Sequence, residues 1–159
     1  MTPQEITEKL KSQFGDAITE TKLEGVVDPF VKIKPETMKE VSLFLRDDAD
    51  LQLDFLMCLS GIDLGKGNLG VVYNLYSMTK RHKLTIKVEV PREKAEVPSV
   101  ESVWKTANWH EREAYDLVGI TFTGHPDLRR ILLPTDWEGH PLRKDYKVPE
   151  YYQGMKVPY

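Results

Sequence analysis

Cysteine is almost missing from this chain: Cys58 is the one thiol in 159 residues. No internal disulfide can form, and a thiolate-rich zinc or iron–sulfur site lacks its ligands. The chain is therefore expected to hold no cluster of its own. Cys58 lies in the apolar run Phe55-Leu56-Met57-Cys58-Leu59 and reads as a buried structural thiol. An excess of positive charge is also missing. The net charge of −3 gives no basic footprint for nucleic acid. No apolar run approaches the ~20 residues of a membrane span, so association with a membrane must come through a partner. The start, MTPQEITEKLK, has neither the apolar stretch of a secretory leader nor the Arg/Ser bias of a transit peptide. His110-Glu111 opens like a zinc-protease motif, but Ala114 stands where the second imidazole belongs. The four histidines (His82, His110, His125, His140) share no ligand spacing, so a metal site requires the fold to gather distant residues.

What is present describes a globular chain. Apolar residues make up 40% and charged residues 30%, in a length suited to one core. Thr2-Pro3-Gln4-Glu5 is a capping box, and Ile6, Leu10 and Phe14 line one face of the helix it opens, up to Gly15. Strands are expected at 17–23 and 29–33, then a helix from Pro35 to about Arg46, closed by Asp47-Asp48. Three strands follow, at 51–62, 70–78 and 83–90; the first reads equally as partly helical. In the last, Leu84, Ile86, Val88 and Val90 alternate with polar residues. After a charged connector, Ser99 caps a short helix to Trp104, and Asn108-x-x-Glu111 has the spacing to cap another that ends at Gly119. A last strand is expected at 130–133, with little regular structure after Pro134. The grouping of strands points to an α+β fold: two layers, helix-β-β-helix-β-β-β with a mixed sheet, then short helices and an extended tail. On this reading residues 1–133 form the α+β domain and 134–159 a partner-binding tail.

Chemistry concentrates between Asn108 and Tyr146. Gly65-Lys66-Gly67-Asn68-Leu69-Gly70 matches G-x-G-x-x-G, but strand sequence follows it, so it reads as a loop between antiparallel strands. Glu111, Arg112, Glu113 and Asp116 suggest acid–base groups or a charged helix face, with Arg112 and Asp116 spaced for an ion pair. Arg129-Arg130 and Arg143-Lys144-Asp145 have the guanidinium forks that pair carboxylates across an interface. His125, Trp137 and the tail residues Tyr146, Tyr151, Tyr152, Met155 and Tyr159 complete an aromatic, proline-punctuated surface suited to another protein.

These blocks resemble the 30-kDa family of respiratory complex I, the proton-pumping NADH:quinone oxidoreductase. The likeness runs through Asn108-Trp109, Glu111-Arg112-Glu113, Tyr115-Asp116-Leu117, Gly119-Ile120, Gly124 to Leu132 and Asp136 to Tyr146. It is looser at Asp54-Phe55-Leu56, Gly61-Ile62-Asp63 and Pro98-Ser99-Val100. His110 sits where the family often has an apolar residue. The resemblance implies a non-catalytic structural subunit of the hydrophilic arm, docking through Glu111, Arg112, Glu113, Asp116, His125, Arg129, Arg130, Trp137, Arg143, Lys144 and Asp145. It implies neighbours of the 49-kDa (D), B and I types. FMN, iron–sulfur clusters and quinone would belong to partner subunits. The location implied is peripheral, on the cytoplasmic side of a bacterial membrane. Two other readings stand beside it: the equivalent subunit of a membrane-bound hydrogenase or ferredoxin-linked complex, and a free-standing enzyme using Glu111, Glu113, His125 and His140.

Overall fold

Thr2 starts the first helix as its spacing predicts. Its hydroxyl accepts from the Glu5 amide, and the Glu5 carboxylate accepts from the Thr2 amide at 2.8 Å. The computed structural model describes residues 1–157. Helix α1 spans Pro3–Phe14 and buries Ile6 and Leu10. Strands β1 (Ile18–Lys22) and β2 (Phe30–Ile33) form an antiparallel pair. A 3-10 turn at Pro35–Thr37 leads into α2 (Met38–Asp47), which buries Met38, Val41 and Leu45.

Strands β3 (Phe55–Gly65), β4 (Asn68–Tyr76) and β5 (Lys83–Pro91) complete a five-stranded sheet in the order β1-β2-β5-β4-β3. The β2–β5 pair is parallel and its neighbours are antiparallel, so the sheet is mixed. The expected strand at 51–62 begins later. Gln52 has a positive φ, and the Leu53 amide donates to the Leu45 carbonyl, which tucks Leu51 and Leu53 under the end of α2. The glycine motif is the β3–β4 turn: Lys66 and Gly67 both have positive φ, the geometry of a two-residue hairpin.

One face of the sheet carries the core. Leu69, Val71, Tyr73 and Leu75 of β4 and Leu84, Ile86, Val88 and Val90 of β5 join the apolar faces of the helices in a single cluster. The opposite face is polar and half-buried: Lys32 pairs with Glu89, and the Lys87 ammonium lies 3.7 Å from the centre of the Phe30 ring. Cys58 is on this side and is only half-buried, 3.3 Å from the Ser60 hydroxyl. The bulge at Met57 shifts the register and takes the thiol out of the core.

Helix α3 (Ala107–Val118) lies on β3 at the edge of the sheet. Gly61 makes this possible, because a Cβ there would stand 2.9 Å from Ala114 Cβ. A short parallel pair, β6 (Glu96–Pro98) with β7 (Thr121–Thr123), brackets α3; neither strand was expected from the sequence. Residues 99–104 make a turn rather than the expected helix, with the Val103 and Trp104 amides both donating to the Val100 carbonyl. Among the described residues of the tail the one regular element is the hairpin β8 (Tyr151–Tyr152) and β9 (Met155–Lys156). Pro158 and Tyr159 of the expected aromatic tail lie outside the described residues.

Candidate functional site

The motif residues meet where α3 ends. A helix leaves its last carbonyls without intrahelical donors, and at α3 each one is supplied. Gly119, at φ 80°, caps the helix, and its amide donates to the Ala114 and Tyr115 carbonyls. The Asp116 carbonyl receives His140 Nδ1 at 2.9 Å and Arg130 Nη1 at 3.1 Å. The Leu117 carbonyl receives the Leu142 amide, and Val118 receives Arg143 Nε at 2.7 Å. Two guanidinium groups thus stand at the negative end of the helix dipole. A Cβ at Gly119 would collide with Arg143 and His140, so this position needs glycine for space as well as for φ.

Asp116 is the centre of this cluster. Its carboxylate is buried; Oδ1 pairs with Arg130 Nη1 at 2.7 Å, and Oδ2 accepts the amides of Ile131, Leu132 and Leu133 at 2.8–3.0 Å. Burial alone would raise its pKa, but the Leu133 amide, Arg130 and the Leu132 and Ile131 amides together hold it below the ordinary carboxylate value. This geometry replaces the strand expected at 130–133, because three successive amides turned toward one oxygen cannot also join a ladder. The expected Arg112–Asp116 pair is replaced too. Arg112 donates instead to the carbonyls of Arg129 and Arg130, at 3.2 and 3.1 Å. Arg130 Nη2 then reaches the Trp137 and Gly139 carbonyls and draws the next turn in.

The same segment, a strap over residues 128–146, is fastened a second time at the sheet edge. Asp63 on β3 accepts from the Lys144 amide at 2.9 Å and from Arg92 at 2.8 Å, and Arg92 also pairs with Asp145 at 2.7 Å. The amides of Lys144 and Gly65, reinforced by Arg92, hold Asp63 below the ordinary range against the effect of burial. Trp137 of the strap packs on Tyr152, beyond it, with ring centroids 5.1 Å apart. Asp136 accepts from Tyr152 Oη and Gln153 Nε2.

The remaining predicted residues fall outside this cluster. Glu111 is buried with both oxygens on the 99–104 turn: Ser99 Oγ at 2.5 Å and the Val100 amide at 2.7 Å. It therefore makes no capping box with Asn108, and α3 begins two residues earlier than that cap implies, at Ala107 with Thr106 as its N-cap. Glu113 is exposed. Arg129 pairs locally with Asp127 at 2.9 Å. His125 Nε2 bonds to the Asn108 carbonyl, at the opposite end of α3 from His140. Burial, with Arg143 and Arg130 nearby, holds His140 below the usual imidazole value despite its bond to the Asp116 carbonyl. No three His, Cys, Asp or Glu side chains stand together as metal ligands among the described residues. Reading the sequence missed Asp63, Arg92 and Ser99 as partners, since none lies in the dense motif. Asp63 belongs to the looser Gly61-Ile62-Asp63 match, which was the available signal.

The first turns of α3 and strap residues 131–132 border an open groove of about 620 Å³. Trp109 and Leu132 line it and are 71% and 61% exposed. Lys105, His110 and Glu113 form its polar rim.

Residues 31–152 match the model of the family described as respiratory-chain NADH dehydrogenase, 30 Kd subunit. A relative from Chloroherpeton thalassium, the C subunit of NADH-quinone oxidoreductase, is 50% identical over 94% of this chain. Its counterpart from Chlorobium phaeobacteroides is 47% identical over 94%. The chain spans 63% of the length of the first and 92% of the second. Among solved structures, the trypsin-resistant fragment (1-134) of Nqo5 aligns with 80% of this chain and all of its own, at TM-score 0.67 and 29% identity. A chain from an archaeal membrane-bound sulfane sulfur reductase aligns with 91% of this chain and 85% of its own, at TM-score 0.75 and 20% identity, and shares the fold. The chain belongs to the 30 Kd subunit family of respiratory-chain NADH dehydrogenase.

Proposed function

We propose that this chain is a non-catalytic, structural subunit of NADH:quinone oxidoreductase, seated in the arm that projects from the membrane on its cytoplasmic side. It supports electron transfer without taking part in it, and FMN, clusters and quinone belong to its neighbours. Those neighbours are of the 49-kDa (D), B and I types. The family membership supports the assignment to the complex. The exposure of Trp109 and Leu132 on a groove rimmed by Lys105, His110 and Glu113 supports a docking role. Large apolar side chains at the centre of a contact carry most of its energy. Glu111, Arg112, Asp116, Arg130, Arg143 and Asp145 then serve docking indirectly, by shaping the surface; Glu113 rims the groove, and His125, Arg129, Trp137 and Lys144 do not line it.

The test separates assembly from chemistry. Arg112→Ala removes bonds inside the chain and lowers assembly simply by unfolding it, so the informative variants are Trp109→Ala and Leu132→Ala. Both side chains are exposed, and the isolated variants are expected to melt within about 2 °C of the parent. Intact complex should fall severalfold in cells carrying them, while turnover per assembled complex stays the same. Normal assembly with lost turnover would overturn the non-catalytic role.

A further inference from the structure

Glu111 is a buried carboxyl group with no cation bound to it. Among the described residues its oxygens meet a hydroxyl and an amide, Ser99 Oγ at 2.5 Å and Val100 N at 2.7 Å, and no ammonium or guanidinium. Burial and the acidic Glu101 oppose its charge, and outweigh the Ser99 and Val100 bonds that favour it. Glu101 of the turn is acidic, and the Tyr73 hydroxyl of β4 is buried, lacks a hydrogen-bond partner and is itself held neutral by burial and by Glu111. Arg112 turns away to the carbonyls of Arg129 and Arg130, Lys105 is bound to Glu101, and Asp63 of β3 is bound to Arg92. Strand β7 has no ionisable side chain.

The element Glu111 holds matters to the core. The turn at 99–104 buries Val100, Val103 and Trp104, and the Trp104 indole donates to the Leu53 carbonyl at 3.0 Å. Ser99 Oγ also accepts from the Glu101 amide, so its single proton is directed at Glu111 or displaced by the carboxyl proton. We propose that Glu111 is a proton-binding latch, whose neutral form holds the 99–104 turn against α3 and whose ionised form lets that turn open. Neutral, it donates from Oε2 to Ser99 and accepts from Val100 through Oε1, leaving no buried charge. Ionised, it is a desolvated anion with two neutral donors. Burial pushes Glu111 up to about 7, so the exchange falls near neutral pH.

The full-length chain, labelled with 13C at glutamate side chains and 15N at the backbone, tests this by NMR between pH 5 and 9. The Glu111 carboxyl and the Val100 amide should report one proton with a shared midpoint near 7. Protection of the Val103 and Trp104 amides should fall at least tenfold across that midpoint. Glu111→Gln should abolish both the Val100 transition and the pH-dependent loss of protection. Should that variant fail to fold, Ser99→Ala removes the hydroxyl that both forms of the carboxyl use, and the Val100 transition should still share the carboxyl midpoint, wherever that moves. A carboxyl midpoint below 5, a Val100 transition that survives in Glu111→Gln, or one that departs from the carboxyl midpoint in Ser99→Ala overturns the proposal.

Discussion

Asp116 shows how one side chain can decide the course of the chain that follows it. Its carboxylate collects three amides and a guanidinium from residues 130–133. Replacing it with alanine strands those amides and leaves Arg130 facing a buried helix end. Removing one partner of a buried ion pair costs about 3–5 kcal/mol, so Asp116→Ala should sharply lower the midpoint in a denaturant titration. Asp116→Asn keeps the volume but loses the charge and should fall between the two. A loss under about 1 kcal/mol in the alanine variant would show that the nest adds little. None of this was legible from residue types. The spacing suggested Arg112 as the partner of Asp116, the neighbour one helical turn away. The partner actually used, Arg130, is reached only because the chain reverses beyond Gly124, and a reversal of that length leaves no local trace.

At the level of elements, the sequence was read best where pattern and burial coincide. The Thr2 capping box, the alternation in β5 and the strand-turn-strand reading of the glycine motif depend on neighbours in sequence, and each was found in place. The β6–β7 pair was not legible, because each strand is three residues long and is paired across α3. The tail hairpin turns at Gln153-Gly154, a pair with positive φ at both residues, inside a stretch whose prolines suggested irregular chain. Helix α3 tests the value of close packing and of its sealed end. Gly61→Ala places a methyl 2.9 Å from Ala114 Cβ, so helix and strand must separate; overpacking of this kind costs about 1–3 kcal/mol, readable as a drop in melting temperature. Arg143→Ala leaves the Val118 carbonyl without its donor. Hydrogen exchange should then speed up in the last turn of α3 and across 140–146, while the amides of β4 and β5 keep their protection.

The whole molecule carries opposed titrations. Asp116 and Asp63 are held below 3.8 in the folded chain, so the stability they supply is present above that value and is lost as pH falls through their folded values. Glu111 has the opposite sign: raised from 4.5 to about 7, it contributes fully below 4.5 and loses that contribution as pH rises through about 7. The loss is at most about 3 kcal/mol. Melting temperature should therefore peak near pH 5, drop steeply on the acid side and decline by several degrees toward pH 8. A profile flat from pH 5 to 8 would contradict the alkaline limb. The layered α+β architecture was readable from the grouping of strands. The assignment of charges was not, since most of the motif cations that the sequence offered to a neighbour are matched inside the chain.

Arg129 and Arg130 of the strap, each paired with a carboxylate, bear on how an encounter with another protein begins. Charges already matched at home project little field into solution, so they exert little long-range attraction on an approaching surface. Contact then depends on short-range fit against a rigid, preformed shape, and its rate should depend only weakly on ionic strength. A fastening made wholly within this polypeptide thus sets how selectively, and how slowly, it joins anything else.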